Sequence, residues 1–160
     1  VAERWGGGDD VMFNCEKDLF PFSKLAHRFP DTGSPWRYLN SGMYIGKPEA
    51  ILAMLEAMWL DEIHDDHPAP GTGLHGSGQV NVVDQNWFQM LYAAQPVPIT
   101  LDTQCECFQT FSRCTWDEFD LTGKMVKNKV TGTTPLVLHC NGGAKNEMLP
   151  ELCRKFGLTP

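Results

Sequence analysis

The chain has 160 residues, 42% of them hydrophobic and 21% charged, with a formal net charge of −7. That length suffices for one domain with a sizeable core. The acidic balance repels phosphate backbones and anionic lipid, which excludes nucleic acid and membrane surfaces as main partners, and no run of about 18 apolar residues is present to span a bilayer.

The opening "VAERWGGGDD" has no apolar h-region of the kind a signal peptide carries, and it does not start with Met. The chain is therefore expected to be a piece of something longer. "GGGDD" lacks the Gly-Lys-Ser/Thr ending of a phosphate loop. Asp9 and Asp10 read as a surface turn, with cation ligation as the alternative.

"VMFNCE", residues 11–16, is a short apolar run that predicts a strand, and "KDLFPF" turns at Pro21. "RYLNSGMYIG" predicts a strand interrupted by a tight turn at Asn40, Ser41 and Gly42. "KPEAILAMLEAMWLDEIH" predicts a helix with Pro48 at an N1-like position. Its expected apolar face is Ile51, Leu52, Leu55, Met58, Trp59 and Ile63. Residues 65–79, rich in Gly, Pro and His, read as a long exposed loop. His64 and His67 form H-x-x-H beside or within it, and His75 follows. No further spaced ligand accompanies them, so a solvated loop is the expectation.

"VNVVDQNWFQMLYAA" resumes as a helix, with Asp84 or Asn81 near its first turn and Trp87, Phe88 and Leu91 as the buried stripe. "VPITLDTQCECFQTF" reads as two short strands broken near Asp102. "KMVKNKVTGTTPLVLHCN" reads as a meander, and "NEMLPELCRKFG" as a final short helix stopped by Gly157. This mixture is α/β or α+β. The six cysteines include Cys105 and Cys107 in "CEC", which lacks C-x-x-C spacing, so a structural zinc is not expected. A disulfide from Cys114 to Cys105 or Cys107 and free buried thiols are equally open.

Three constellations could carry chemistry. In "PLVLHCNGGAKN", His139 ends a strand and could ligate a metal through neutral imidazole. Asn141, Gly142 and Gly143 would let backbone N–H groups approach an anion, and Lys145 could meet a phosphate. A histidine at the core edge followed by a hairpin turn explains the same residues. Asp84 could face a cleft from a helix start, or simply cap that helix. Asn40, Ser41 and Gly42 could bond sugar hydroxyls, or form an Asx-type turn. The nearby Phe20, Phe22, Trp36 and Tyr38 could stack on a sugar or belong to the core. Taken singly, each has a structural explanation that suffices.

Taken in order, "VMFNCEKDLFPF", "RYLNSGMYIG", "VVDQNWFQMLY", "ITLDTQCECFQTF" and "PLVLHCNGGAKN" resemble the glycosyltransferase domain of the procollagen lysyl hydroxylases, from about residue 11 to the end. The resemblance implies a GT-A fold, an α/β architecture with a mixed, mostly parallel sheet flanked by helices. It implies a UDP-sugar donor, a divalent cation such as manganese, and retaining transfer of a hexose to a hydroxyl of hydroxylysine type or of a glycan. A secretory-pathway or extracellular location goes with it.

Position by position, the resemblance assigns His139 to the metal and Asn141, Gly142 and Lys145 to the diphosphate. It sets Asp84 near the transferred sugar as the catalytic carboxylate. Asn40, Ser41 and Gly42 lie beside the donor sugar, with Gln85 as their neighbour. The family's D-x-x-D aspartates and uridine-binding strand fall upstream of "VMFNCE", so residues 1–160 are expected to be a single partial domain that lacks its N-terminal nucleotide-binding strands. Phe20 stands where the family has a gating tryptophan, and "NVV" stands where it has acidic residues before Asp84. The alternative is a non-catalytic module of the same ancestry that holds a glycan or a partner.

Overall fold

The structure, a computed structural model, describes residues 2–21, 23–58 and 84–159. In chain order the elements are α1 (Ala2–Trp5), β1 (Val11–Glu16), a 3-10 helix (Ser23–Arg28), β2 (Tyr38–Ile45), α2 (Pro48–Ala57) and α3 (Asp84–Ala94). Then come β3 (Ile99–Leu101), β4 (Phe108–Thr110), a second 3-10 helix (Trp116–Glu118), β5 (Phe119–Asp120), β6 (Lys127–Asn128), β7 (Val137–His139), α4 (Ala144–Glu147) and α5 (Leu149–Phe156).

The strands form three small sheets, in the orders β2-β1-β3, β4-β7 and β5-β6. The fold is mixed α/β, as expected. The mostly parallel sheet is not seen among the described residues: β1–β3 and β4–β7 are parallel, while β1–β2 and β5–β6 are antiparallel. The expected meander is likewise corrected. β6 pairs with β5, and β7 lies parallel to β4, because Thr131 to Leu136 carry the chain away from the hairpin before β7 begins.

β1 is central, which explains why "VMFNCE" reads as an almost unbroken apolar run. Val11, Phe13 and Cys15 are buried on one side, and Asn14 and Glu16 are buried on the other. Val11 and Phe13 join Leu39, Met54, Phe88 and Leu91 in one core, where the Phe13 and Phe88 rings lie 5.1 Å apart. Cys15 belongs to a second core with Trp36, Cys105, Phe111, Phe119 and Leu152. Trp36 is fully buried there, and its indole N–H donates to the Thr110 carbonyl at 3.3 Å.

The turn expected at Asn40, Ser41 and Gly42 is a bulge within one continuous strand. Phe13 faces Tyr44 and Cys15 faces Leu39, so Asn40, Ser41, Gly42 and Met43 stand opposite Asn14 alone. An Asx bond drives the bulge: the Gly42 N–H donates to Asn40 Oδ1 at 3.0 Å.

Pro48 opens α2 as the sequence predicts. The face it buries differs from the expected one. Met54 and Ala57 are buried and Ile51 and Met58 pack partly, but Leu52 and Leu55 are exposed. The apolar positions of α2 run almost all round it, so periodicity alone did not single out the inner face. Trp59, Ile63, His64, His67, His75, Asn81, the loop at 65–79 and Phe22 lie outside the described residues. In α3, Phe88 and Leu91 are buried and Trp87 is partly so.

β3 and β4 are broken at Asp102 as expected, and Asp102 builds the break. Its carboxylate accepts the N–H groups of Glu106 (2.9 Å), Cys107 (2.8 Å) and Phe108 (2.8 Å). All six cysteines are free thiols, so the disulfide alternative is not the one realised. Gly157 ends α5 in the left-handed conformation, with φ of 67°.

Candidate functional site

The end of β1, the β2 bulge, the start of α3 and the segment after β7 converge on one polar network. Period-two alternation sends Asn14 and Glu16 to the same side of β1. Both are buried, as are Asn40 and Gln85. Polar groups so buried must find partners or cost stability, and here they find one another.

Glu16 is the hub. Gln85 Nε2 donates to its Oε1 at 2.7 Å, and Asn141 Nδ2 donates to its Oε2 at 2.8 Å. Gln85 Nε2 also reaches the Phe20 carbonyl at 2.6 Å, while Gln85 Oε1 accepts Asn40 Nδ2 at 3.0 Å. Asn141 Oδ1 in turn accepts the N–H groups of Ser112 (2.9 Å) and Phe111 (3.2 Å) at the end of β4. Burial raises the Glu16 carboxyl above the ordinary carboxylate range, against the lowering effect of hydrogen bonds from Asn40, Gln85 and Asn141.

Asp84 occupies the rim. It is exposed at the first turn of α3, where its Oδ1 accepts Ser41 Oγ at 3.0 Å and the Gln85 N–H at 2.8 Å. One carboxylate is therefore buried with both oxygens engaged, and the other is held at the surface with room for a further partner.

His139 ends β7 and packs on the β2 bulge. Its Nδ1 lies 3.2 Å from the Asn14 side-chain amide. Burial holds the imidazole below its ordinary pKa, so it is neutral at physiological pH. A neutral imidazole suits one metal ligand. Among the described residues no three His, Cys, Asp or Glu side chains group to hold a metal ion. Among those residues His139 therefore fits the role of one ligand of a shared centre and not of a closed site.

The segment after β7 leads into α4 and is not a hairpin. Gly142 has φ of 55°, and a Cβ there would meet Ser112 Oγ at 3.2 Å. Lys145 is exposed on α4 and makes no ion pair among the described residues. Phe20 presents a half-exposed ring beside the network, while its carbonyl accepts Gln85 and Gln89. The structure therefore joins Asn40, Ser41, Asp84 and Gln85 directly and Asn141 through Glu16, sets Gly42 against His139, and leaves Lys145 and Gly142 at the edge.

Sequence reasoning missed Glu16 and Asn14. The signal was present: a carboxylate ends the strand in "VMFNCE" just as a histidine ends the one in "PLVLH".

A family model described as the PLOD GT domain matches residues 3–67. An uncharacterized protein of Acanthamoeba polyphaga mimivirus is 29% identical over 135 residues, which is 84% of this chain and 25% of that protein. The multifunctional procollagen lysine hydroxylase and glycosyltransferase LH3 of Homo sapiens is 25% identical over 148 residues, 88% of this chain and 18% of that protein. The procollagen-lysine,2-oxoglutarate 5-dioxygenase of Drosophila melanogaster is 26% identical over 151 residues, again 88% of this chain and 18% of the relative. The chain spans a quarter or less of the length of these curated relatives. Over most of its length it resembles the procollagen lysyl hydroxylases in sequence, and over residues 3–67 it matches the model of their glycosyltransferase domain.

Proposed function

We propose that this chain is part of a GT-A glycosyltransferase domain that transfers a hexose from a UDP-sugar to a hydroxyl of hydroxylysine type or of a glycan, with retention and with a divalent cation such as manganese. The observation that carries the reading is the convergence of four sequence-distant motifs on one network: Glu16 from β1, Asn40 from the bulge, Gln85 from α3 and Asn141 after β7. A fold needs no such polar hub for packing, because buried amides and a carboxylate add little net stability over apolar residues of the same shape.

In this reading Asp84 is the catalytic carboxylate, close to the sugar and held by Ser41. Glu16 is a positioning residue that fixes Gln85 and Asn141. Asn40, Ser41, Gly42, Gln85 and Phe20 flank the donor sugar. His139 offers one ligand to the cation, and Gly142 and Lys145 flank the diphosphate. When bound, the cation supplies positive charge to the leaving diphosphate. Lys145, exposed and without an ion-pair partner among the described residues, is free to add a further positive charge at that edge. A secretory-pathway location accompanies the reading.

The test is UDP release by the complete protein with manganese, across a panel of UDP-sugars and of hydroxylysine peptides and glycans. One donor–acceptor pair should stimulate UDP release well above donor hydrolysis. A protein that binds a glycan on the panel but releases no UDP with any donor would be a binding module instead.

A further inference from the structure

The pairing of Asn14 with His139 carries a consequence beyond the proposed transfer. The Asn14 side chain is fully buried opposite the β2 bulge and has two available amide orientations. In one, its nitrogen lies 3.2 Å from both Asn40 Oδ1 and His139 Nδ1. That orientation sets the Asn14 oxygen against the backbone carbonyl oxygens of Asn40 and, at 2.9 Å, Met43. Neither carbonyl can donate, so two close oxygen–oxygen contacts would be buried together.

In the other orientation the amide nitrogen donates to both carbonyls, and the amide oxygen faces His139 Nδ1 at 3.2 Å. Its remaining oxygen–oxygen approach, to Asn40 Oδ1, is longer at 3.2 Å, and Asn40 Oδ1 already accepts the Gly42 N–H. The turn of the amide gives up one bond of 3.2 Å, from the Asn14 nitrogen to Asn40 Oδ1, but replaces two shorter oxygen–oxygen contacts with two hydrogen bonds, so the second orientation is the stable one. An amide oxygen only accepts, which requires a hydrogen on His139 Nδ1.

We propose that Asn14 is a positioning residue that fixes His139 as the Nδ1–H tautomer, so that Nε2 presents an electron pair and not an N–H. This decides what class of ligand His139 takes. An electron pair suits a cation, and an N–H would suit a phosphate oxygen. The tautomer itself follows from the bulge geometry alone; its use toward a cation rests on the transferase reading.

The test is nitrogen NMR of the complete protein, labelled with 15N-histidine and free of metal, at a pH where His139 is neutral. The wild type should show a protonated Nδ1 and an unprotonated Nε2. Asn14→Leu should shift His139 toward the Nε2–H form that free imidazole prefers, and should weaken manganese binding by tenfold or more. Asn14→Asp still accepts from Nδ1 through one oxygen and should keep the wild-type tautomer, while its second oxygen meets the Asn40 and Met43 carbonyls and lowers stability. A wild-type His139 protonated on Nε2 overturns the proposal, and so does an Asn14→Leu protein with unchanged tautomer. If the wild type shows Nδ1–H but manganese leaves the Nε2 signal unmoved, Asn14 keeps its role and the cation-dependent transferase reading falls.

Discussion

Gly42 and His139 lie face to face, with no space for a side chain between them: a Cβ on Gly42 would stand 2.0 Å from His139 Cε1 and 2.8 Å from Nε2. The bulge in β2 and the strand end at β7 are thus parts of one site, and glycine is required by the imidazole and not by its own backbone angle. Gly42→Ala must displace the ring. We expect a loss of about 1–3 kcal/mol, as for other overpacked sites, and a fall in UDP release of about 100-fold if the ring moves by about 1 Å. Urea denaturation and steady-state UDP release on the same protein check both.

Glu16 separates charge from hydrogen bonding. Glu16→Ala leaves Gln85 Nε2 and Asn141 Nδ2 short of an acceptor, at a cost of about 1–3 kcal/mol for each left unsatisfied. Glu16→Gln keeps one acceptor oxygen and should be the milder change. Both should lower kcat much more than they raise KM for the donor, because the positions of Gln85 and Asn141 depend on this carboxylate. Equal kinetics in wild type and Glu16→Gln would remove it from the site.

The same residue predicts a pH dependence. The folded pKa of Glu16 is raised, chiefly by burial, so the folded state holds this proton more tightly than the unfolded state does. Its stabilising contribution is complete below the ordinary glutamate pKa and is lost as pH rises through the folded value. Wild type should therefore lose stability relative to Glu16→Gln as pH rises across that window. Denaturation midpoints measured for both proteins between mildly acidic and neutral pH give the slope and its sign.

Asp102 provides the contrast of a carboxylate that holds the fold. It accepts three backbone N–H groups across the β3–β4 connection and stands in none of the network bonds. Asp102→Ala should destabilise by about 2–4 kcal/mol, from the loss of several charge-assisted bonds. The kcat of the protein that remains folded should be close to that of wild type. A selective loss of kcat at full stability would place Asp102 in the site after all.

These contrasts show what the sequence made legible. Strands β1 and β3 were readable as short apolar runs and β4 from the break at Asp102, while α3 was readable from its apolar stripe and α5 from Gly157 at its end. The bulge was not readable as such. Asn-Ser-Gly has the chemistry of a turn, and only the pairing of Phe13 with Tyr44 and of Cys15 with Leu39 shows that the strand continues through it. The pairing of β7 with β4 depends on contacts nearly 30 residues apart, which local pattern does not carry.

Within the site, Asn40, Ser41, Asp84, Gln85, Asn141 and His139 were named from motifs. Asn14 and Glu16 were passed over because they sit in a run that reads as core. Their polarity inside that run was the informative observation. Lys145 was named from its place after Asn141-Gly142-Gly143 and from the resemblance, and it stands exposed on α4.

The central claim is that His139 serves catalysis far more than folding. The measurement is manganese-dependent UDP release by the complete protein and by its His139→Ala variant, each with its urea midpoint. Release should fall at least 100-fold with loss of manganese dependence, while stability falls by no more than the roughly 1–3 kcal/mol that the unpaired Asn14 amide costs. Unchanged release with unchanged manganese dependence would contradict it.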